Sequence, residues 1–171
     1  MMEQSSGDFL AAVDGLRTLL DCVGRVWPIS VGQATVCAEY EDGSITRGEV
    51  EVDVEQSKGR RIRRIWLDPE VSIHPGAAAA IPDFEAVVIG PGSFYTCLVP
   101  IFLPRGVREA VAVVEGPIIL VTNLLTEGRG MTGFTAGTAV RRISEVIETV
   151  GLEEYQSTYI DKLSKLSLIH N

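Results

Sequence analysis

Glu85-Ala86-Val87-Val88-Ile89-Gly90-Pro91-Gly92-Ser93-Phe94-Tyr95-Thr96 is the stretch that sets the fold class. Its first half, Glu85 to Ile89, is a short β-branched run bounded by Asp83 and Gly90, the form taken by a strand buried on both faces of a parallel sheet. Its second half is a turn. Gly90 and Gly92 allow close backbone approach, Pro91 stiffens the bend, and Ser93 is a residue type that caps helices. On the C-terminal side the pattern repeats. Val107 to Val114 reads as helical or mixed, and Ile118 to Val121 as a second buried strand ending at Thr122-Asn123. Gly128 to Gly133 is a glycine-rich loop. Ala136 to Val150 is a helix with Ala136, Ala139, Val140, Ile143, Val146, Ile147 and Val150 on one stripe. The order strand, loop, helix, strand, loop, helix predicts an α/β layer with parallel strands.

On the N-terminal side, Phe9 to Val23 has helical apolar spacing, with Ser6 or Asp8 placed to cap it. Ala34 to Val54 reads as a β-hairpin about Asp42-Gly43, a turn pair that accepts positive φ. The return strand is expected to carry Val50, Val52 and Val54 on one face, with Glu49, Glu51, Asp53 and Glu55 on the solvated one. Ile62 to Leu67 is a third strand, stopped by Asp68-Pro69. Arg60, Arg61, Arg63 and Arg64 are either an anion patch or partners of the acidic row beside them, and pairing is the favoured reading. Gly76 to Ile81 reads as a short helix. Leu152 to Leu166 reads as another, able to dock on the domain or pair with another chain.

The chain has 171 residues, 46% hydrophobic and 22% charged, enough for one domain with its own core. A net charge of −8 disfavours nucleic acid as a partner. No apolar run is long enough to cross a bilayer, and Met1 to Gly7 lacks the form of a signal peptide. Cys22, Cys37 and Cys97 are odd in number and far apart. Buried thiols in a reducing cytoplasm are therefore expected, with no disulfide or metal framework.

Ligands of parallel α/β sheets bind at the carboxyl ends of the strands. If the two strands are neighbours, Gly90 to Ser93 and Thr122-Asn123 face one crevice. The amides of Phe94, Tyr95 and Thr96 would then meet an anion such as a phosphate with the positive end of a helix dipole. The competing reading is a plain strand-to-helix turn, because this is neither a Walker A loop nor a dinucleotide fingerprint. Asn123 is placed to contact a base, sugar or carbonyl, or else to bond its own backbone. No catalytic group stands out, and Glu127 is the single acid near the second loop.

The residues from Gly90 to Thr96, followed by Pro100 and Gly106-Val107-Arg108-Glu109-Ala110, resemble the GPGSLYTS…P…GI-x-EA signature of the CofD/YvcK family. That family comprises 2-phospho-L-lactate transferases and gluconeogenesis factors. Gly24-Arg25-Val26-Trp27-Pro28 is similar to its GRVLP, and Asp42-Gly43 with Gly48-Glu49 to its DG…GE hairpin. Ile62, Ile65, Leu67 and Pro69 follow its I-x-x-V-x-L-x-P strand. Asn123-Leu124-Leu125-Thr126 with Gly133-Phe134-Thr135 resembles N-x-M-T…GYT. Gly92-Ser93 is closer to the gluconeogenesis-factor branch than to the GPSNP loop of the transferases. The likeness runs from about Gly7 to Gly151 and matches the second half of a family member.

The resemblance implies a three-layer, Rossmann-like parallel sheet with a β-hairpin subregion, incomplete relative to the family, and a divergent C-terminal helix over 152–171. It implies a cytoplasmic regulatory protein, linked to carbon use and cell shape, that binds a nucleotide or UDP-sugar. The ligand would sit on Gly90, Pro91, Gly92, Ser93, Tyr95, Thr96, Asn123, Phe134 and Thr135. The rival expectations are a magnesium-dependent phospho-acid transferase and an interaction domain that holds no ligand. The family's Gly-rich GGGTG strand and loop have no counterpart here. Gly130 and Phe134 replace a glutamate and a tyrosine, and Thr138-Ala139-Val140 replaces DHV. A sheet lacking its first strands has an open apolar edge, which predicts self-association or a partner supplying the other half.

Overall fold

The computed structural model describes residues 9–121, 123, 135–148 and 167–169. It is a mixed α/β fold of two sheets. Helix α1 (Phe9–Leu19) is followed by β1 (Thr35–Tyr40), β2 (Ile45–Arg47), α2 (Glu49–Ser57) and β3 (Ile62–Asp68). Then come α3 (Pro75–Ala80), β4 (Val87–Ile89), α4 (Val107–Ala112), β5 (Ile118–Val121), α5 (Ala136–Glu148) and β6 (Ser167–Ile169). The first sheet is antiparallel, in the order β2-β1-β3, with Ala38 opposite Thr46 on one side and Ile65 on the other. The second is parallel, in the order β4-β5-β6.

The parallel pairing expected from the two apolar runs is present: Val88 lies opposite Ile119 and Ile89 opposite Leu120. The Asp42-Gly43 turn also forms as expected. Gly43 has φ 79° and donates its amide to Tyr40 O at 2.9 Å. Helix α1 is shorter than predicted. It stops at Leu19, and Asp21 takes a positive φ of 50° just beyond.

The return strand over Val50–Val54 is not there. Strand β2 ends at Arg47, and Gly48, at φ 103°, turns the chain into α2. The alternation of valine and acid is strand-like, but burial here follows the helical period instead: Val52 and Gln56, four apart, face inward. Glu49 and Glu51 in the first turn suit the helix dipole. The tail departs as well. Residues 152–166 lie outside the described residues, but 167–169 form a strand on β5 rather than the end of a helix. The open side of β5 offers a row of main-chain groups that a strand satisfies and a helix does not.

Two clusters make the core. One gathers Ile89, Phe94, Val99, Phe102, Val107, Leu120 and Ile143 around the parallel strands. The other joins Ala38, Tyr40, Val52 and Ile62 between the antiparallel sheet and α2. Ile65 and Tyr95 pack against both and so couple the two sheets. The Gly24–Pro28 motif has a packing role. Trp27 stacks on His74 at 5.4 Å and fills the space over Gly76, where a Cβ would come within 2.4 Å of the indole. His74 Nδ1 in turn caps α3 by accepting from the Gly76 amide. Of the three cysteines only Cys37 is buried, which pushes its thiol pKa up; Cys97 is exposed, against expectation.

Candidate functional site at the ends of the parallel strands

The loops after β4 and β5 meet. The Asn123 side-chain amide donates to the Gly92 carbonyl at 3.1 Å, so the two carboxyl ends are tied by a direct bond. Gly90, Pro91 and Asn123 are exposed, and a Cβ added at Gly90 would meet nothing within 4 Å. Gly92 is glycine for a different reason. A Cβ there would stand 3.3 Å from Cys97 Cβ and from Leu98 Cδ2, so the loop lies tight on the turn that follows.

That turn is not an α-helix. Phe94–Leu98 is one turn of π-helix, and Ser93 caps it through its carbonyl, which accepts from Cys97 N at 2.9 Å and Leu98 N at 3.0 Å. The serine side chain makes no capping bond. The wide turn passes straight into a 3-10 turn at Val99–Phe102, where Pro100 lacks the N–H that would continue it.

The side chains of Tyr95 and Thr96 turn away from the strand ends. Thr96 is buried and donates its hydroxyl to Asp53 Oδ1 of α2 at 3.1 Å. Tyr95 shares a hydrogen bond with Arg142 of α5, and burial pushes its phenol pKa up. Thr135 is also engaged: its Oγ1 accepts from the Thr138 amide at 3.1 Å and so caps α5. Phe134 lies outside the described residues, as do Thr122 and Glu127. Among the expected residues, then, Gly90 to Ser93 and Asn123 converge. Tyr95, Thr96 and Thr135 hold the surrounding elements in place through their side chains.

Sequence reasoning missed Asp53 and Arg142. In sequence, Asp53 sits in an alternation that reads as a solvated strand face, and no linear signal links either residue to the loop. Among the described residues, no group of three His, Cys, Asp or Glu side chains is placed to hold a metal ion. Of the basic cluster, Arg60 pairs with the acidic row as expected, through Glu55, whereas Arg63 finds Glu39 of β1 instead. Arg60 meets Glu55 at 2.7 Å, also reaches Asp42, and lies over the Tyr40 ring; Arg63 meets Glu39 at 3.1 Å. Asp42 accepts from Ser44 through side chain and amide and then from Arg60, which together bring its pKa down to about 2.

Comparison with known proteins places the fold in a family. The chain is 32% identical over 132 residues to a putative gluconeogenesis factor of Aquifex aeolicus, covering 77% of this chain and 40% of that protein. It is 32% identical over 127 residues to the gluconeogenesis factor of Listeria monocytogenes, covering 74% and 38%. It thus spans about two fifths of the length of these relatives. A crystal structure of a UPF0052-family protein from Bacillus halodurans superposes with a TM-score of 0.77 at 29% identity, covering 85% of this chain and 46% of that one. The family profile described as 2-phospho-L-lactate transferase CofD matches residues 1–164, and the chain belongs to that family.

Proposed function

We propose that the chain is a cytoplasmic regulatory protein of the gluconeogenesis-factor type that binds a nucleotide or nucleotide-sugar, such as a UDP-sugar, at the ends of β4 and β5. The observation that carries this is the Asn123–Gly92 bond, which joins the loops at the carboxyl ends of two neighbouring parallel strands, where ligands of such sheets bind. The phosphates would lie on the main chain of Gly90 to Ser93, whose glycines let an anion approach closely. Asn123 would meet the sugar or base. The names of the Aquifex and Listeria relatives support the regulatory role.

A thermal-shift screen of nucleotides and UDP-sugars tests this reading. A ligand present at 100 times its Kd stabilises a fold by about 2.7 kcal/mol, which is a shift of several degrees for a domain of this size. If the folded chain is stabilised by none of them, the binding reading fails and a purely interacting domain takes its place.

A second reading has one observation behind it. A magnesium-dependent transfer of a phospho-acid needs a carboxylate near the phosphate loop, and Asp53 meets the segment that follows this loop, through Thr96, from the side turned away from the strand ends. Magnesium is often held by one or two carboxylates together with substrate phosphates. The CofD description of the family profile fits this reading. Magnesium-dependent turnover abolished by Asp53→Asn would establish it; binding without turnover would remove it.

We also propose that β4 pairs with further polypeptide, from a second copy or a partner chain. Val88, in the middle of β4, is 62% exposed, and within the parallel sheet β4 has only β5 beside it among the described strands.

A further inference from the structure

A second concavity lies away from the strand ends, along the outer edge of β3. It has a volume of about 560 Å3 and is closed by β3 on one side and by the Phe94–Leu103 turns and α5 on the other. That volume falls within the range of about 300–1,000 Å3 typical of small-molecule sites. Neither the Gly90–Ser93 loop nor Asn123 lines it.

The lining pairs apolar surface with positive charge. Trp66, Phe94 and Leu103 supply flat and aliphatic walls. Four arginines, at 63, 64, 108 and 142, face two glutamates, at 70 and 145. Glu70 pairs with Arg105 at 3.5 Å, Glu145 with Arg142 at 3.0 Å and Arg63 with Glu39 at 3.1 Å, and the lining itself holds two more cations than acids. The cavity is therefore locally positive in a chain whose net charge is −8. Such a reversal focuses anions into a low-dielectric concavity.

The guanidinium groups are also held in position. Arg142 is fixed by Glu145 and by the Tyr95 phenol. Arg108 is partly buried and donates Nε to the Phe102 carbonyl at 3.2 Å. The Arg64 guanidinium lies 5.5 Å over the Trp66 ring. Donors anchored in this way lose little freedom when a ligand arrives.

We infer that this cavity is a second ligand site, for a small molecule with one anionic group, carboxylate, sulfonate or phosphate monoester, on a flat apolar body. The anion lies among Arg64, Arg108 and Arg142, and the body lies against Trp66 and Phe94. Tyr95 stands between the two sites, its main chain in the strand-end turn and its side chain in this cavity.

The chain has two tryptophans, so Trp27→Phe leaves Trp66 as the single reporter. In that background, naphthalene-2-carboxylate and 2-naphthyl phosphate are titrated against Trp66 emission, with 2-naphthylmethanol as the neutral control. The expected result is saturable quenching by both anions, with the neutral compound at least about ten-fold weaker. Arg108→Gln and Arg142→Gln should each weaken the anions about ten-fold, the scale of one hydrogen bond to a charged group. Circular dichroism checks each variant for folding, and exposed Arg64→Gln serves in place of one that does not fold. Saturating UDP-N-acetylglucosamine should leave the anions bound. Non-saturable quenching, equal binding of the neutral compound, indifference to the arginine variants, or displacement by the UDP-sugar would each overturn the proposal.

Discussion

Glycines at the two ends of the parallel strands are there for different reasons, and substitution separates them. A Cβ at Gly116 would fall 1.7 Å from the Glu85 carbonyl oxygen, inside the backbone that leads into β4. Gly116→Ala should cost about 3 kcal/mol or more, because main chain cannot step aside as a side chain can. A Cβ at Gly90 meets nothing, so Gly90→Ala should change stability by less than about 0.5 kcal/mol. Urea denaturation of the two variants reads both numbers. Asp42 gives a prediction in pH. Its folded pKa of about 2 lies below the ordinary carboxylate value of about 3.9. The stability it contributes is complete above about pH 4 and lost as pH falls toward 2. Asp42→Asn should therefore flatten the acid-unfolding profile in that window, followed by circular dichroism. At this scale Gly90, Gly92 and Asn123 were legible in the sequence, since strand-end position and residue type suffice to single them out. The side-chain engagements of Tyr95 and Thr96 were not, because Arg142 and Asp53 reach them from distant parts of the chain.

Among the elements, α2 is the most instructive. An alternating strand would place Val50, Val52 and Val54 on one face, and truncating any of them would cost alike. In the helix, Val52 is fully buried while Val50 and Val54 are exposed. Val52→Ala should lose about 2 kcal/mol, and Val50→Ala and Val54→Ala less than about 0.5 kcal/mol each, by chemical denaturation. Equal losses at all three positions would contradict the helix. The parallel strands were legible as continuous apolar runs, although Val88 of β4 is exposed rather than covered on both faces as expected. Helix α2 was not, since four acids and three valines in alternation satisfy the strand pattern, and only the positive φ of Gly48 breaks it. Strand β6 was equally hidden. Three residues carry no periodicity, and what recruits them is the open side of β5.

At the scale of the whole molecule, the fold leaves apolar surface uncovered among the described residues. Phe9, Leu16 and Leu19 of α1 and Leu20 just beyond it are exposed, as is Val88 on the outer strand of the parallel sheet. Contiguous apolar surface and an open strand edge favour association. Light scattering should show mass above that of a single chain at high concentration. Val88→Lys, which places a charge on that edge, should shift the population toward the single chain; a strictly monomeric protein would remove the proposed pairing at β4. The Asn123–Gly92 bond joins the loops at the ends of the two parallel strands, where the nucleotide is proposed to bind. The most direct test is a 15N-edited NMR titration of the folded chain with UDP-N-acetylglucosamine and with UDP. Saturable shifts are expected, largest at the amides of Gly90, Gly92 and Ser93 and at the Asn123 side-chain amide. Shifts that are absent for every nucleotide, or confined to residues away from β4 and β5, would contradict it.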